Sequence, residues 1–169
     1  GTMISKILSG IYSSLAFLLL SCSNIDCPLE NVVLMSVGLY DNEGNSLSVS
    51  DTLTVTSFPS DSILLNKGIE VTGFAIPLRH GVEIDTLLLK FSEKQTLAVE
   101  TLFVYKTDIP HFESIDCPAS LFHNLIAVKS SASASFGNPL LVDSIAVVRS
   151  KVDYNNVENI KIYFNSIHQ

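Results

Sequence analysis

Leu47-Ser48-Val49-Ser50-Asp51-Thr52-Leu53-Thr54-Val55-Thr56 is the stretch that decides the fold class. On an extended chain Leu47, Val49, Leu53 and Val55 fall on one side, with Asp51 between them. Ser48, Ser50, Thr52, Thr54 and Thr56 fall on the other. Successive strand residues point to opposite faces, so this is the pattern of a half-buried antiparallel strand with a hydroxylated outer face. Asp51 would face the core of an unbroken strand, which predicts a bulge or a break at that point. Pro59 ends the stretch.

The period of two continues on both sides. Upstream, Val33, Met35, Val37 and Leu39 share a face until Asp41-Asn42-Glu43-Gly44 interrupts. Asp opens a turn through its side chain and Gly44 accepts a positive φ, so hairpin chemistry is expected. A calcium loop also alternates acids, but an EF-hand needs Gly at its sixth position and Glu at its twelfth. Here those positions hold Ser46 and Thr52. Downstream, Ser62 to Leu65, Val71 to Leu78, Val82 to Phe91, Gln95 to Lys106, Leu121 to Ala132, Leu140 to Val148 and Val157 to Phe164 read as further strands. Pro77 marks an edge or a terminus. Ser130 to Pro139, rich in small residues, reads as a loop, and Asp153-Tyr154-Asn155-Asn156 as the last connection.

Asp51, Asp61, Asp85 and Asp143 each precede a hydroxyl residue and then aliphatics two apart. An Asp that bonds the following amides suits the start of a strand better than it suits a metal. With no amphipathic helix past Cys22, the turn spacing gives an all-β fold: an antiparallel two-sheet β-sandwich of about eight or nine strands. The lack of Trp and the wide cysteine spacing set it apart from an immunoglobulin domain.

The first residues have a different character. Gly1-Thr2 ahead of Met3 reads as a cloning remnant. Lys6 gives one positive charge, and Ile7 to Leu20 carry none. A membrane-spanning helix needs about 20 apolar residues. This shorter stretch, interrupted by Ser9, Gly10, Ser13 and Ser14, fits a secretory signal peptide. Its end, Leu19-Leu20-Ser21-Cys22, resembles the lipobox of bacterial lipoproteins, in which the leader is cut before the cysteine and the cysteine is lipidated. That resemblance implies a signal peptide over residues 1–21, a lipid on Cys22, a short tether over 22–28 and one domain over 29–169. Acyl chains add about 0.8 kcal/mol per buried CH₂, so two or more hold a protein to a membrane. An ordinary secretory leader, or an uncut N-terminal membrane helix, are the competing readings.

The chain has 17 Asp and Glu against 10 Lys and Arg, a formal net charge of −7. Nucleic acid is a poor partner for such a surface, because phosphate binding needs clustered cations. Three cysteines are present. If Cys22 is acylated, Cys27 and Cys117 form an even pair in an oxidising compartment. Joining them closes a loop of about 90 residues, which restricts the unfolded chain by about 4–5 kcal/mol. Two free buried thiols are the alternative. Asn24-Ile25-Asp26-Cys27-Pro28 and Ser114-Ile115-Asp116-Cys117-Pro118 echo one another.

Taken together, the lipobox cysteine, the Cys27-Pro28 step, the block from Asn31 to Tyr40, Asp51-Thr52-Leu53-Thr54-Val55, Cys117, Asp143-Ser144-Ile145 and Glu158-Asn159-Ile160-Lys161-Ile162-Tyr163-Phe164 resemble a known group. It is a family of small uncharacterised lipoproteins from Bacteroidetes-type bacteria, a domain of unknown function. The resemblance spans nearly all of the chain after Cys22. It implies a β-domain lipid-anchored in the cell envelope, at the outer membrane and facing either the periplasm or the surface, with no catalytic residues to carry across.

Catalytic motifs are missing from the sequence. His80, His111, His123 and His168 are scattered without metal-ligand spacing and read as loop or surface residues. No His-Glu-x-x-His, Gly-x-Ser-x-Gly, Cys-x-x-Cys or phosphate-binding glycine loop occurs. The expected function is therefore a non-enzymatic module, without cofactor or metal, contacting a protein partner or a glycan through loops or a strand edge. A calcium-stabilised binding module using Asp41, Glu43, Asp51, Asp61, Asp85 and Asp153 is the alternative.

Overall fold

A computed structural model describes residues 3, 27, 32–49, 52–136 and 140–165. Ten strands build it: β1 Met35–Asp41, β2 Thr52–Phe58, β3 Ser62–Gly68, β4 Gly73–Ile76, β5 Ile84–Glu93, β6 Thr96–His111, β7 Ser120–Phe136, β8 Leu141–Val147, β9 Lys151–Val152 and β10 Ile160–Asn165. They form two sheets, one in the order β4-β1-β10-β8 and the other β3-β2-β5-β6-β7-β9.

The alternation in the sequence explains which faces meet. Met35, Val37 and Leu39 of β1 join Ile160, Ile162 and Phe164 of β10 in one buried layer. Opposite them lie Leu53 and Val55 of β2, Leu87, Leu89 and Phe91 of β5, and Leu102 and Val104 of β6. Phe91 meets Phe164 edge to face, ring centres 5.3 Å apart. Thr52, Thr54 and Thr56 are only half-buried, as the hydroxylated face requires. The fold is all-β with two sheets, as the sequence indicated, but with ten strands instead of eight or nine. The short pair Lys151–Val152 went unread, since two residues leave no period to detect.

The sandwich is not wholly antiparallel. β1 runs parallel to β10, with Val37 opposite Ile160 and Tyr40 opposite Tyr163. Antiparallel order was inferred from short turns, yet these two strands come from opposite ends of the domain, where no hairpin constrains their direction. The Leu47-to-Thr56 stretch is also divided. β2 begins at Thr52, while Val49 makes an isolated bridge to Val71 and Ser46 one to Tyr40. Asp51 lies outside the described residues. The Asp41 turn forms as expected: Glu43 and Asn45 donate backbone N–H groups to Asp41 Oδ1, and Gly44 has φ of 88°.

The largest departure is the pair β6–β7. Residues 130–136, read as part of a loop, continue β7 alongside β6, from Leu97 opposite Phe136 to His111 opposite Ser120. Backbone pairing does not depend on side-chain size, so small residues extend a strand whose partner is already fixed. β5 flanks β6 only up to the pairing of Ile84 with Tyr105. Beyond Tyr105 the two strands form an arm, joined by β9 at His123 and Asn124. Pro110 is tolerated in β6 because, among the described residues, no strand on that side needs its missing N–H. At the end of the arm Cys117 is disulfide-bonded to Cys27, their Cα atoms 5.5 Å apart. Cys22 lies outside the described residues, as do residues 4–21 of the leader.

Candidate functional site

The outer face of the four-stranded sheet combines small residues with two aromatic rings. Its core-facing side chains alternate with Ser36, Gly38 and Tyr40 on β1, and with Lys161 and Tyr163 on β10. In register beside them stand Gly73 and Ala75 of β4, opposite Gly38 and Ser36, and Ser144 and Ala146 of β8, opposite Tyr163 and Lys161. The ring centres of Tyr40 and Tyr163 are 5.8 Å apart, inclined at 38°. Lys161 Nζ sits 4.6 Å from the centre of the Tyr40 ring, a cation–π distance.

Glu158 organises the middle of this face. Tyr40 donates its hydroxyl to Glu158 Oε2 at 2.7 Å, and Lys161 Nζ lies 3.8 Å from Glu158 Oε1. The carboxylate accepting that proton pushes the Tyr40 pKa up, and partial burial adds to it. Gly38 makes room for this: a Cβ there would collide with the Glu158 carboxylate and the Tyr40 ring. The result is a surface with two amphipathic rings and a cation on neighbouring strands and an anion on the segment just before β10. Such a surface can stack the C–H face of a sugar ring and bond its hydroxyls.

A second constellation is buried at the root of the arm. Lys106, on β6, is 1% exposed and His123, on β7, is 1% exposed. Asp108 Oδ1 accepts from Lys106 Nζ at 2.5 Å and lies 2.8 Å from His123 Nδ1, while Asp108 Oδ2 accepts the Gly81 N–H at 2.7 Å. Lys106 Nζ also donates to the Val82 carbonyl. Burial alone would raise the Asp108 pKa, but the ammonium, the amide and the imidazole outweigh it and hold it at about 2. Burial lowers the His123 pKa, with Lys106 adding to the effect and Asp108 opposing it. Every polar contact here closes inward, so the cluster acts as a fastener between the arm and the loop before β5.

The histidines therefore divide. His80 is exposed, and its ring lies 5.9 Å from that of His123. His111 stacks on Phe122 at 4.2 Å, with the Tyr154 ring edge-on to both. His123 is not a surface residue, a correction its neighbours in sequence could not supply: its place depends on Lys106 and Asp108 arriving from the other strand. His168 is outside the described residues. Near the β2–β3 turn, Ser57, Ser60, Leu64, Pro77 and Arg79 line a cleft of about 200 Å³. The buried Ser57 hydroxyl there has no protein partner, and the cleft can hold water.

Of the acids considered for calcium, Asp51 lies outside the described residues, and the other five are not brought together. Asp41 and Glu43 share a turn, and Asp61 stands in another with φ of 55°. Asp85 is buried and accepts from the Arg79 backbone and guanidinium. Asp153 accepts two bonds from Arg149, which with the Asn155 N–H hold its pKa at about 2. No group of three metal-binding side chains occurs among the described residues. Of the Asp-hydroxyl-aliphatic segments, Asp61 stands directly before β3 and Asp85 is the second residue of β5, as strand entries do; Asp143 lies inside β8, where it accepts from Asn165, and Asp51 is outside the described residues.

Residues 52–164 match the model of a family described as a family of unknown function, DUF6452. The chain belongs to that family. The DUF6452 match begins with β2 and ends inside β10, so it includes Cys117, Glu158, Lys161 and Tyr163. Cys27 and Tyr40 precede it. No curated protein and no solved structure matches the chain. The face just described was only half visible in the sequence: Lys161-x-Tyr163 alternates outward, but nothing in the sequence places Tyr40 beside it.

Proposed function

We propose that this DUF6452 member is a non-enzymatic envelope lipoprotein that binds a glycan on the Tyr40–Tyr163 face. The observation that carries the reading is the pair of inclined rings beside Glu158 and Lys161, on a sheet otherwise lined by Gly, Ala and Ser. Both rings are half-buried, and Gly38 leaves room for the Tyr40 ring beside Glu158. The anchor in this reading is lipid on Cys22, supported by Leu19-Leu20-Ser21-Cys22 and by the resemblance to lipoproteins of Bacteroidetes-type bacteria. The protein is held by that lipid in the envelope, at the outer membrane.

The glycan is favoured over a protein partner because the face is polar at its centre, where Glu158 and Lys161 stand beside the two rings, with small residues in register around them. Protein interfaces place large apolar or Arg anchors at their core. The test is retention on envelope polysaccharides and on an arrayed set of glycans, comparing wild type with Tyr40→Ala and Tyr163→Ala. Retention by wild type and loss of about tenfold or more in each variant is expected, about 1.4 kcal/mol per stacked ring. Retention that ignores both tyrosines refutes the site. A protein captured through the same residues, with no glycan bound, refutes the ligand class.

A further inference from the structure

The tip of the β6–β7 arm exposes apolar side chains where the tether joins the domain. Phe112 is 65% and Ile115 97% exposed, with Ile109 at 45% just below them. This is not a slack loop. The Cys117 N–H donates to the Ser114 carbonyl at 3.3 Å, closing a turn with Ile115 at its first corner. The Asp116 N–H donates to Ser114 Oγ, which also contacts Cys117 Sγ at 3.4 Å. The disulfide then fixes this turn to Cys27. The side chain of Ile115 is thus held outward by its own backbone.

Cys27 is five residues from Cys22, and a chain of that length reaches at most about 17 Å. A lipid on Cys22 therefore keeps Cys27, and the turn bonded to it through Cys117, close to the bilayer surface. We propose that the tip of the arm rests in the membrane interface, with Phe112 and Ile115 inserted among zwitterionic headgroups. The inference rests on the lipid-anchor reading above. Glu113 and Asp116 flank the two apolar side chains, so neutral lipid is the partner and anionic lipid is disfavoured. Two side chains alone bind a membrane weakly; the tether raises their effective concentration so that weak contact suffices. The disulfide then orients the domain, because it lies at the end of an arm whose two strands pair along their whole length.

The chain contains no tryptophan, so a single introduced one reports without background. Full-length lipoprotein carrying Ile115→Trp, or Phe112→Trp, is reconstituted in phosphatidylcholine vesicles with brominated acyl chains. Ile69→Trp is the comparison: Ile69 is 69% exposed and follows Gly68, which pairs with Leu53 at the opposite end of the large sheet. All three positions are exposed, so the substitutions leave the core intact. The expected result is flotation of every variant with the vesicles. Tryptophan at 112 or 115 should show blue-shifted, bromine-quenched emission, as at a depth of about 5–10 Å, and tryptophan at 69 neither. Failure to float overturns the anchor and the tip contact together. Flotation with 112 and 115 as unquenched as 69 overturns the tip contact alone, and stronger quenching only when anionic lipid is added overturns the choice of lipid.

Discussion

Lys106 is a charged residue held entirely inside the fold. Its ammonium is enclosed, with Asp108 and the Val82 carbonyl as partners. Replacing one partner of a buried pair strands the other charge. Asp108→Asn should therefore cost about 3–5 kcal/mol in urea unfolding; a loss below about 1 kcal/mol would contradict the enclosure. Glu100 is the opposite case. It is 3% exposed, and burial raises its pKa, opposed only by the Val142 N–H. The folded state binds that proton more tightly than the unfolded chain, so Glu100 opposes folding increasingly as pH rises past 4.5. Glu100→Gln should melt a few degrees higher than wild type at pH 7 and lose that advantage near pH 3. Asp108 and Asp153, both held at about 2, act in the other direction: their stabilisation is present above 3.8 and lost as pH falls toward 2. His123, lowered from 6.5, stabilises fully above that value and loses the contribution as pH drops through it toward its folded pKa. The sequence could show none of this, because a charged residue in an alternating strand reads as an interruption until its cross-strand partner is known.

Among elements, the β6–β7 arm carries the consequences. Its strands pair over their whole length, and the Cys27–Cys117 bond ties its tip to the start of the domain. Reduction, or Cys117→Ser paired with Cys27→Ser, should lower stability by about 2–5 kcal/mol. Thiol titration of the oxidised protein should find neither cysteine free. The pairing of these two cysteines was legible from their number and from the repeated Ile-Asp-Cys-Pro. The arm itself was not: runs of Ser and Ala carry no hydrophobic period, and only the neighbouring strand makes them extended. The parallel contact of β1 with β10 was hidden for a related reason. Alternation says which residues of a strand face inward, and says nothing about which distant strand lies beside it. Gly38 tests that contact, since Gly38→Ala forces Glu158 away from Tyr40. It should lower the raised Tyr40 pKa toward its ordinary value in a spectrophotometric titration, while leaving the fold in place.

At the scale of the molecule, the proposed lipid on Cys22 would join a two-sheet domain to a membrane through one sulfur. The fold class was readable from period-two alternation because hydrophobic burial on one face leaves that imprint in the strands that carry the core, such as β1, β2 and β10. The proposed binding face was not, because it is assembled from the two ends of the domain. Asp85 and Asp153 are compensated by Arg79 and Arg149, so millimolar calcium should not raise the melting temperature relative to chelator, as any ligand of the native state must. The most direct measurement is the mass of the protein recovered from the membrane fraction of a bacterial host. The account predicts a chain beginning at Cys22, carrying acyl groups, with Cys27 and Cys117 joined. A chain that keeps Met3, or a soluble product beginning at another residue without lipid, would contradict it.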